Sequence, residues 1–278
     1  MILDDLTAAA KRRVEEEKKK VPLCVMERMA YDIADSNIAN DKAGSINMGK
    51  MEQKSEPAFE RALKKKGMSF ILEVKKASPS KGVIAENFNY LDIAGDYEKA
   101  GADCISCLTE PDFFKGSDKI FTDIRKNVAI PMLRKDFTVD EYMIYQAKCM
   151  GADCVLLIVS ILSDAQLSGY IKLAEKLRIS ALVEAHDENE IKRALEAGAA
   201  IIGVNNRNLK DFSVDISNSL RLRKYVPDNV LFVAESGIKT RQDVVMLEQA
   251  EVNGALIGET LMRSEDKGKE LGILKGMQ

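Results

Sequence analysis

The chain has 278 residues, 46% of them hydrophobic, and its 41 basic and 44 acidic side chains leave a formal net charge of −3. That is enough apolar material for one large core, and the slightly acidic balance, with a pI near 5.6, speaks against nucleic acid or a membrane surface as partner. The first twenty residues are charged and no later run approaches the ~20 apolar residues of a membrane span, so a cytoplasmic protein is expected.

Residues 3–20 read as an amphipathic helix with Leu3, Leu6, Ala10 and Val14 on one stripe, stopped by Pro22. Residues 23–66 read as polar and irregular, with one helix at 58–66 before Gly67. The apolar content of 1–66 is too thin for a core of its own. It is expected to be an N-terminal helical extension of a single domain, packed on a main body formed by 69–278.

From Ser69 the pattern changes. Phe70, Leu72 and Val74 alternate with Ser69, Ile71, Glu73 and Lys75, the signature of a strand. One face is apolar throughout. The other begins apolar at Ile71 and turns ionic at Glu73 and Lys75. Buried-side charges are costly unless they meet each other or a ligand, and Ser78-Pro79-Ser80-Lys81-Gly82 then opens a loop.

A repeat follows. Strand-like runs begin at Asp103, Asp153, Ala200 and Gly254, spaced by about 50 residues, and a second series at Ser69, Ile130, Ser180 and Val230 interleaves with it. Three runs follow a Gly-Ala pair, at Gly101, Gly151 and Gly198, where glycine is the usual helix stop. Helical patterns at 140–150, 165–177, 187–197 and 240–250 lie between strands. Eight strands alternating with helices predict a parallel sheet closed into a (β/α)8 TIM barrel. The rival, a doubly wound open sheet, should carry a Gly-rich turn after its first strand, and Ser78-Pro79-Ser80 is not one. The helical stretch 260–278 after the last strand is short and holds Gly268, Gly272 and Gly276, which weakens its closing role.

Barrel active sites lie at the carboxyl ends of the strands. Here those ends carry Glu73 and Lys75, Lys135, Glu184, Asn205 with Arg207, and Glu235 with Ser236 and Gly237. Period-2 parity places Leu133 with Lys135, Leu182 with Glu184 and Val233 with Glu235 on inward faces. One such charge alone is commonly a solvated loop residue. Five at one rim suit proton transfer in both directions on one substrate. Gly237 and Gly258, each just before a helical turn, let backbone N–H groups approach an anion where this fold binds phosphate. Of the five cysteines, an odd number, Cys104 and Cys107 have C-x-x-C spacing but read as reduced core thiols. The single histidine, His186 beside Asp187, reads as a helix-capping or surface residue and leaves no His-rich metal site.

Glu73-Val-Lys-Lys-Ala-Ser-Pro-Ser-Lys81, Leu133-Arg-Lys-Asp-Phe137, Asn205-Asn-Arg207, Ala234-Glu-Ser-Gly237 and Leu256-Ile-Gly-Glu-Thr-Leu-Met262 resemble the indole-3-glycerol-phosphate synthase family, over nearly the whole chain. The resemblance implies ring closure, decarboxylation and dehydration of an anthranilate-ribulose phosphate, a small-molecule substrate, with no metal or organic cofactor, in a monomer or weak homo-oligomer. It implies catalytic roles for Glu73, Lys75, Lys135, Glu184, Asn205, Glu235 and Ser236. Lys135 matches a general-acid lysine, Lys75 the lysine that pairs with the anthranilate carboxylate, and Glu73 a base held by Asn205. Ser78, Phe114, Leu133, Phe137, Leu156, Arg207 and Leu209 would contact the substrate. Lys75, Ser236, Gly237, Gly258 and Glu259 would hold its phosphate. Some relatives have serine where Glu259 stands, and a glutamate there is compatible with phosphate only if its side chain turns away. Which lysine and glutamate serve each step stays open. So do two other readings: another phosphate-binding barrel isomerase or Schiff-base aldolase, and a non-catalytic ligand-binding barrel.

Overall fold

A computed structural model describes residues 2–43, 56–208 and 211–277. Eight parallel strands close into a barrel: β1 (Ser69–Val74), β2 (Cys104–Leu108), β3 (Met132–Lys135), β4 (Cys154–Ile158), β5 (Ser180–Ala185), β6 (Ile201–Asn205), β7 (Leu231–Glu235) and β8 (Gly254–Ile257). Each pairs with its successor, and β8 returns to β1 with Ser69 opposite Gly254. Each of the eight strand starts expected from the repeat falls at or within two residues of a strand's first residue, and the closing strand is in place.

The core has two layers. Inside the barrel, Ile71, Leu133, Leu182 and Val233 are fully buried below the charged rim. Outside, the other face of each strand packs under helices; Tyr97 of α4 (Tyr90–Lys99), for example, is wholly buried there with its hydroxyl toward the Glu73 carbonyl at 3.4 Å. The helices start where the sequence offers an oxygen. Asp140 caps α6 (Glu141–Cys149), Asp187 caps α8 (Glu188–Glu196), and Ser163 and Thr240 close capping boxes on α7 (Asp164–Lys176) and α10 (Arg241–Gln249). Three of them, α4, α6 and α8, stop at Gly101, Gly151 and Gly198, all left-handed with φ of 82°, 82° and 91°. After β8 the chain makes two helices, Glu259–Arg263 and Lys267–Lys275; Leu271 and Leu274 of the second are fully buried, so the glycines there do not prevent docking.

The N-terminal region departs from expectation. The first helix, α1 (Ile2–Lys20), buries Leu6, Ala10 and Val14 on the expected stripe. Leu23–Ala43, expected to be irregular, is a second long helix, α2. Its buried stripe is Met26, Ala30 and Ala34, repeating every four residues. Alanines bury little area, so the stripe barely registers as hydrophobic, yet alanine is the best helix former and lets α2 approach α6 closely. Tyr145 of α6 meets Tyr31 edge-on at 6.0 Å and donates to Glu27 at 3.2 Å. The remainder of the stretch expected to be irregular, up to residue 55, lies outside the described residues. The helix expected at 58–66 is Ala58–Leu63. Ion pairs pin α1 to the barrel rim: Arg13 to Asp136 at 2.5 Å and Lys18 to Asp140 at 2.8 Å. Among the described residues no helix is long and apolar enough to cross a membrane.

Candidate active site

The carboxyl ends of the strands open into a cavity of about 550 Å³, within the usual range for small-molecule sites. Strand pleat decides which groups reach it. Lys135 follows inward Leu133 by two residues, Glu184 follows Leu182, and Glu235 follows Val233, so each charge stands one layer above an apolar neighbour. The three meet at the centre. Lys135 Nζ lies 2.9 Å from Glu184 Oε2 and 3.0 Å from Glu235 Oε2. Burial works against the Lys135 charge, but the two carboxylates outweigh it and hold the ammonium above the ordinary lysine range.

The two carboxylates are not equivalent. Glu184 has Lys135 on one oxygen and Asn205 Nδ2 on the other at 3.2 Å, with His186 Nε2 3.5 Å away. Burial opposes its charge, yet Lys135 and His186 carry its pKa down to about 2. Glu235 has Lys135 alone; its Oε1 is buried without a hydrogen-bond partner. Burial pushes its carboxyl up to about 7, against the pull of Lys135 and with a further push from Glu184. Unequal surroundings thus give one lasting anion and one group poised to hold a proton near neutrality. Glycine at 203 makes room for this: a Cβ there would stand 2.2 Å from Glu235 Oε1.

At the neighbouring strand ends, Glu73 pairs with Lys75. Gly258 allows that pair, since a Cβ at 258 would lie 2.4 Å from Glu73 Oε1 and 2.9 Å from Lys75 Nζ. Ser236 and Gly237 both adopt left-handed backbone, φ 68° and 82°, in the turn after β7. The loop after β2 is shaped by Glu110, whose buried carboxylate accepts the amides of Asp112, Phe113 and Phe114 at 2.8–3.0 Å. Phe114 is thereby held against Phe137, ring centroids 6.2 Å apart, as one wall of the cavity. Ile2 and Leu6 of the α1 helix also line the cavity.

Most of the expected site residues share this cavity. Glu73, Lys75, Ser78, Phe114, Lys135, Phe137, Leu156, Glu184, Asn205, Arg207, Glu235, Ser236, Gly237, Gly258 and Glu259 all line it. Leu133 does not: it is fully buried one layer below Lys135, inside the barrel. Leu209 lies outside the described residues. Asn205 was expected to hold Glu73, but its Nδ2 donates to Glu184, and its side-chain Oδ1 accepts the Arg207 backbone N–H at 3.0 Å. Nor does the Glu259 side chain turn away. Its carboxylate lies 3.2 Å from Arg263, 3.7 Å from Lys81 and 4.0 Å from Arg207, and these cations lower its pKa against burial. His186 is neither cap nor surface group: Asp187 does the capping, and the imidazole points between Glu184 and Glu190.

Sequence reasoning missed Lys81, Leu108, Ile158, Phe212, Val214 and Arg263 in the lining. Parity could have found Ile158, two residues beyond Leu156 on the same strand. The one local mark of Arg263, which reaches the cavity from the short helix after β8, is its spacing of four residues from Glu259. All five cysteines are free, with Cys104, Cys107 and Cys154 buried and their thiols pushed up by desolvation.

A family model described as indole-3-glycerol phosphate synthase matches residues 4–274. The indole-3-glycerol phosphate synthase of Ruminiclostridium cellulolyticum is 54% identical over 276 residues, 99% of each chain. Those of Lacticaseibacillus paracasei and Lachnoclostridium phytofermentans are 50% identical over 99% and 47% identical over 100% of each chain. Among solved structures, 3-hexulose-6-phosphate synthase from Salmonella typhimurium superposes with a TM-score of 0.61 at 15% identity, over 75% of this chain and 97% of its own. Thiamine phosphate pyrophosphorylase from Pyrococcus furiosus gives 0.56 at 15%, over 75% and 94%. At that identity the structural likeness speaks for the fold alone.

Proposed function

Since this chain belongs to the indole-3-glycerol phosphate synthase family, we propose that Lys135 is the general acid of its reaction and that the groups around Lys135 divide the remaining steps. The family's enzymes are carboxy-lyases of tryptophan biosynthesis. They act on a small phosphorylated substrate, 1-(2-carboxyphenylamino)-1-deoxyribulose 5-phosphate, and close its indole ring with loss of carbon dioxide and water.

In the first step the ring carbon bearing the carboxylate bonds to the ketone carbon, and the ketone oxygen takes a proton from Lys135. The product is a cation centred on the anthranilate nitrogen. Glu184, the lasting anion, stabilises it electrostatically. In the second step the carboxylate leaves as neutral carbon dioxide, and its bonding pair flows back to neutralise the cation and restore the aromatic ring. Lys75, facing that carboxylate, orients the ring but favours the ground state. The drive for decarboxylation therefore comes from the cation. In the third step the new hydroxyl takes a proton from a lysine and leaves as water, while Glu73 removes a proton from the adjacent carbon. Glu73 hands its proton on to the lysine that gave one to the hydroxyl, and Glu235, poised near neutrality, returns a proton to Lys135 and takes its replacement from solvent, the one proton consumed overall.

Phe114, Phe137 and Leu156 wall the aromatic ring. Arg207 and Ser236 border the sugar, and the amides around Gly237 and Gly258 take the phosphate, aided by Lys75. In favour of that end are its two glycine turns and the cations Lys81, Arg207 and Arg263, which surround the Glu259 carboxylate in this structure and face the phosphate once that carboxylate is displaced. The extension 1–66 serves as part of the single domain, with α1 as a cover that excludes water. The enzyme works in the cytoplasm as a monomer or weak homo-oligomer.

The observation that carries this reading is the Lys135 ammonium held between two buried carboxylates at the floor of an aromatic-walled cavity. The test is turnover of the anthranilate-ribulose phosphate followed by indole-type fluorescence, which a chain without tryptophan leaves nearly free of background. In Lys135→Ala turnover is nearly abolished while substrate affinity stays within roughly tenfold, because the interaction acts in the transition state. Unchanged turnover removes Lys135 from the role.

A further inference from the structure

The imidazole of His186 stands between carboxylates of two different elements. Glu190 Oε2, on α8, accepts the His186 backbone N–H at 2.8 Å and faces ring Nδ1 at 3.1 Å. An ionised carboxylate only accepts, so Nδ1 carries a hydrogen. On the other side of the ring, Nε2 lies 3.5 Å from Glu184 Oε1 and has no hydrogen-bond partner. A bare Nε2 would set its lone pair against those of Glu184. A protonated Nε2 would attract them. Only the imidazolium presents a hydrogen and positive charge to a carboxylate on each side at once.

The remaining groups around the ring agree with that assignment. Glu235 on β7 adds attraction from across the mouth, while Lys135 opposes it from the far side of Glu184. Asp187 is occupied in capping α8. Asp215 and Arg207 border the same side cavity but are tied to Ser217 and to the Phe212 carbonyl. Burial lowers the affinity of His186 for its second proton, and the surrounding carboxylates more than restore it. The Asn218 amide holds the His186 carbonyl at 3.4 Å, so the ring hangs from a fixed backbone.

We propose that His186 is a positioning residue for Glu184: an imidazolium braced on Glu190 that, with Asn205, aims the Glu184 carboxylate into the active site and keeps it anionic. This rests on the role given to Glu184 above. His186 lines not the main cavity but a second one of about 430 Å³ that shares Asn205 and Arg207 with it, so it acts on the main cavity through Glu184. Its effect falls on kcat and leaves KM alone. When the ring loses its second proton, Glu184 loses a cation and gains a facing lone pair, so kcat declines as pH rises through the His186 transition.

The chain has one histidine, so the imidazole proton resonances report His186 alone. The experiment pairs their pH titration with kcat–pH profiles of the wild type, Glu190→Gln, Glu184→Gln and His186→Gln. The expected result is a His186 midpoint above the ordinary histidine range that coincides with an alkaline limb in kcat. In Glu190→Gln both shift to lower pH together. In His186→Gln that limb disappears and kcat is low throughout, about tenfold below wild type at neutral pH, as expected for a loss equal to one pKa unit of interaction, while KM stays within about twofold. Thermal melting separates this from misfolding. A midpoint at or below the ordinary histidine value, a limb that ignores Glu190→Gln, or wild-type kcat in His186→Gln would each overturn the proposal. If the His186 midpoint falls in Glu184→Gln while turnover there stays at the wild-type level, the pairing stands and the catalytic role of Glu184 is what fails.

Discussion

Replacing Lys135 by methionine keeps an unbranched stem and removes the charge. Glu184 and Glu235 each have an oxygen within 3.0 Å of Nζ, so those oxygens stand no more than about 6 Å apart, and at an effective dielectric of ~20 their repulsion is about 3 kcal/mol. That matches the roughly 3–5 kcal/mol lost when one partner of a buried ion pair is removed. The molecule relieves it by protonation. Glu235, already raised, takes the proton, because Glu184 keeps Asn205 and His186. Its folded-state pKa is then still further above the unfolded value. Folding is stabilised below that pKa and loses the stabilisation as pH rises through it. The variant therefore melts well below wild type at pH 8.5, by roughly 6–12 °C, and the gap narrows toward pH 6. Calorimetry at the two pH values reads this directly. A deficit independent of pH would mean that the carboxylates do not meet at Nζ, and the proton-transfer scheme would lose its centre.

Three further outcomes follow from the same geometry. In Gly203→Ala the new Cβ drives Glu235 off Lys135, so kcat falls as it does in Glu235→Gln, and the double variant is no worse than either single one; additive losses in the cycle would contradict this. In Gly258→Ala the Glu73–Lys75 pair is broken and kcat falls by about tenfold or more, whereas full activity would show that the pair is not needed. In Ile2→Ser the cover loses about 1–2 kcal/mol of apolar contact, raising KM several-fold at unchanged kcat; a loss of kcat alone would contradict the cover role of α1.

The barrel was legible because its repeat is written twice, in strand spacing and in the Gly-Ala helix stops. The catalytic rim was legible because a strand alternates: once Leu182 points inward, so does Glu184. Parity has limits. It tells which face a side chain occupies but not which neighbour it meets, so it could not correct the pairing of Asn205 with Glu73 that the family resemblance implied, when Asn205 serves Glu184 on the adjacent strand. Parity put Leu133 on the inward face with Lys135, and it lies there a layer below; the substrate contact that the resemblance implied for it is what the structure does not bear out. His186 was hidden by Asp187, whose capping role explains the local sequence without it. The α2 helix was hidden by its alanines, which pack closely while contributing little to a hydrophobic pattern. Glu259 shows a different limit, because two of the cations that hold it, Lys81 and Arg207, come from separate loops, while Arg263 stands four residues on along its own short helix.

The most direct measurement of the central claim is a crystal structure of the chain with indole-3-glycerol phosphate bound. The account predicts the indole ring beside Phe114 and Phe137, Lys135 Nζ directed at the carbon that was the ketone, and phosphate oxygens about 3 Å from the amides at Gly237 and Glu259. A phosphate lodged away from both glycine turns, or a ring whose reacting carbon lies out of reach of Lys135, would contradict it.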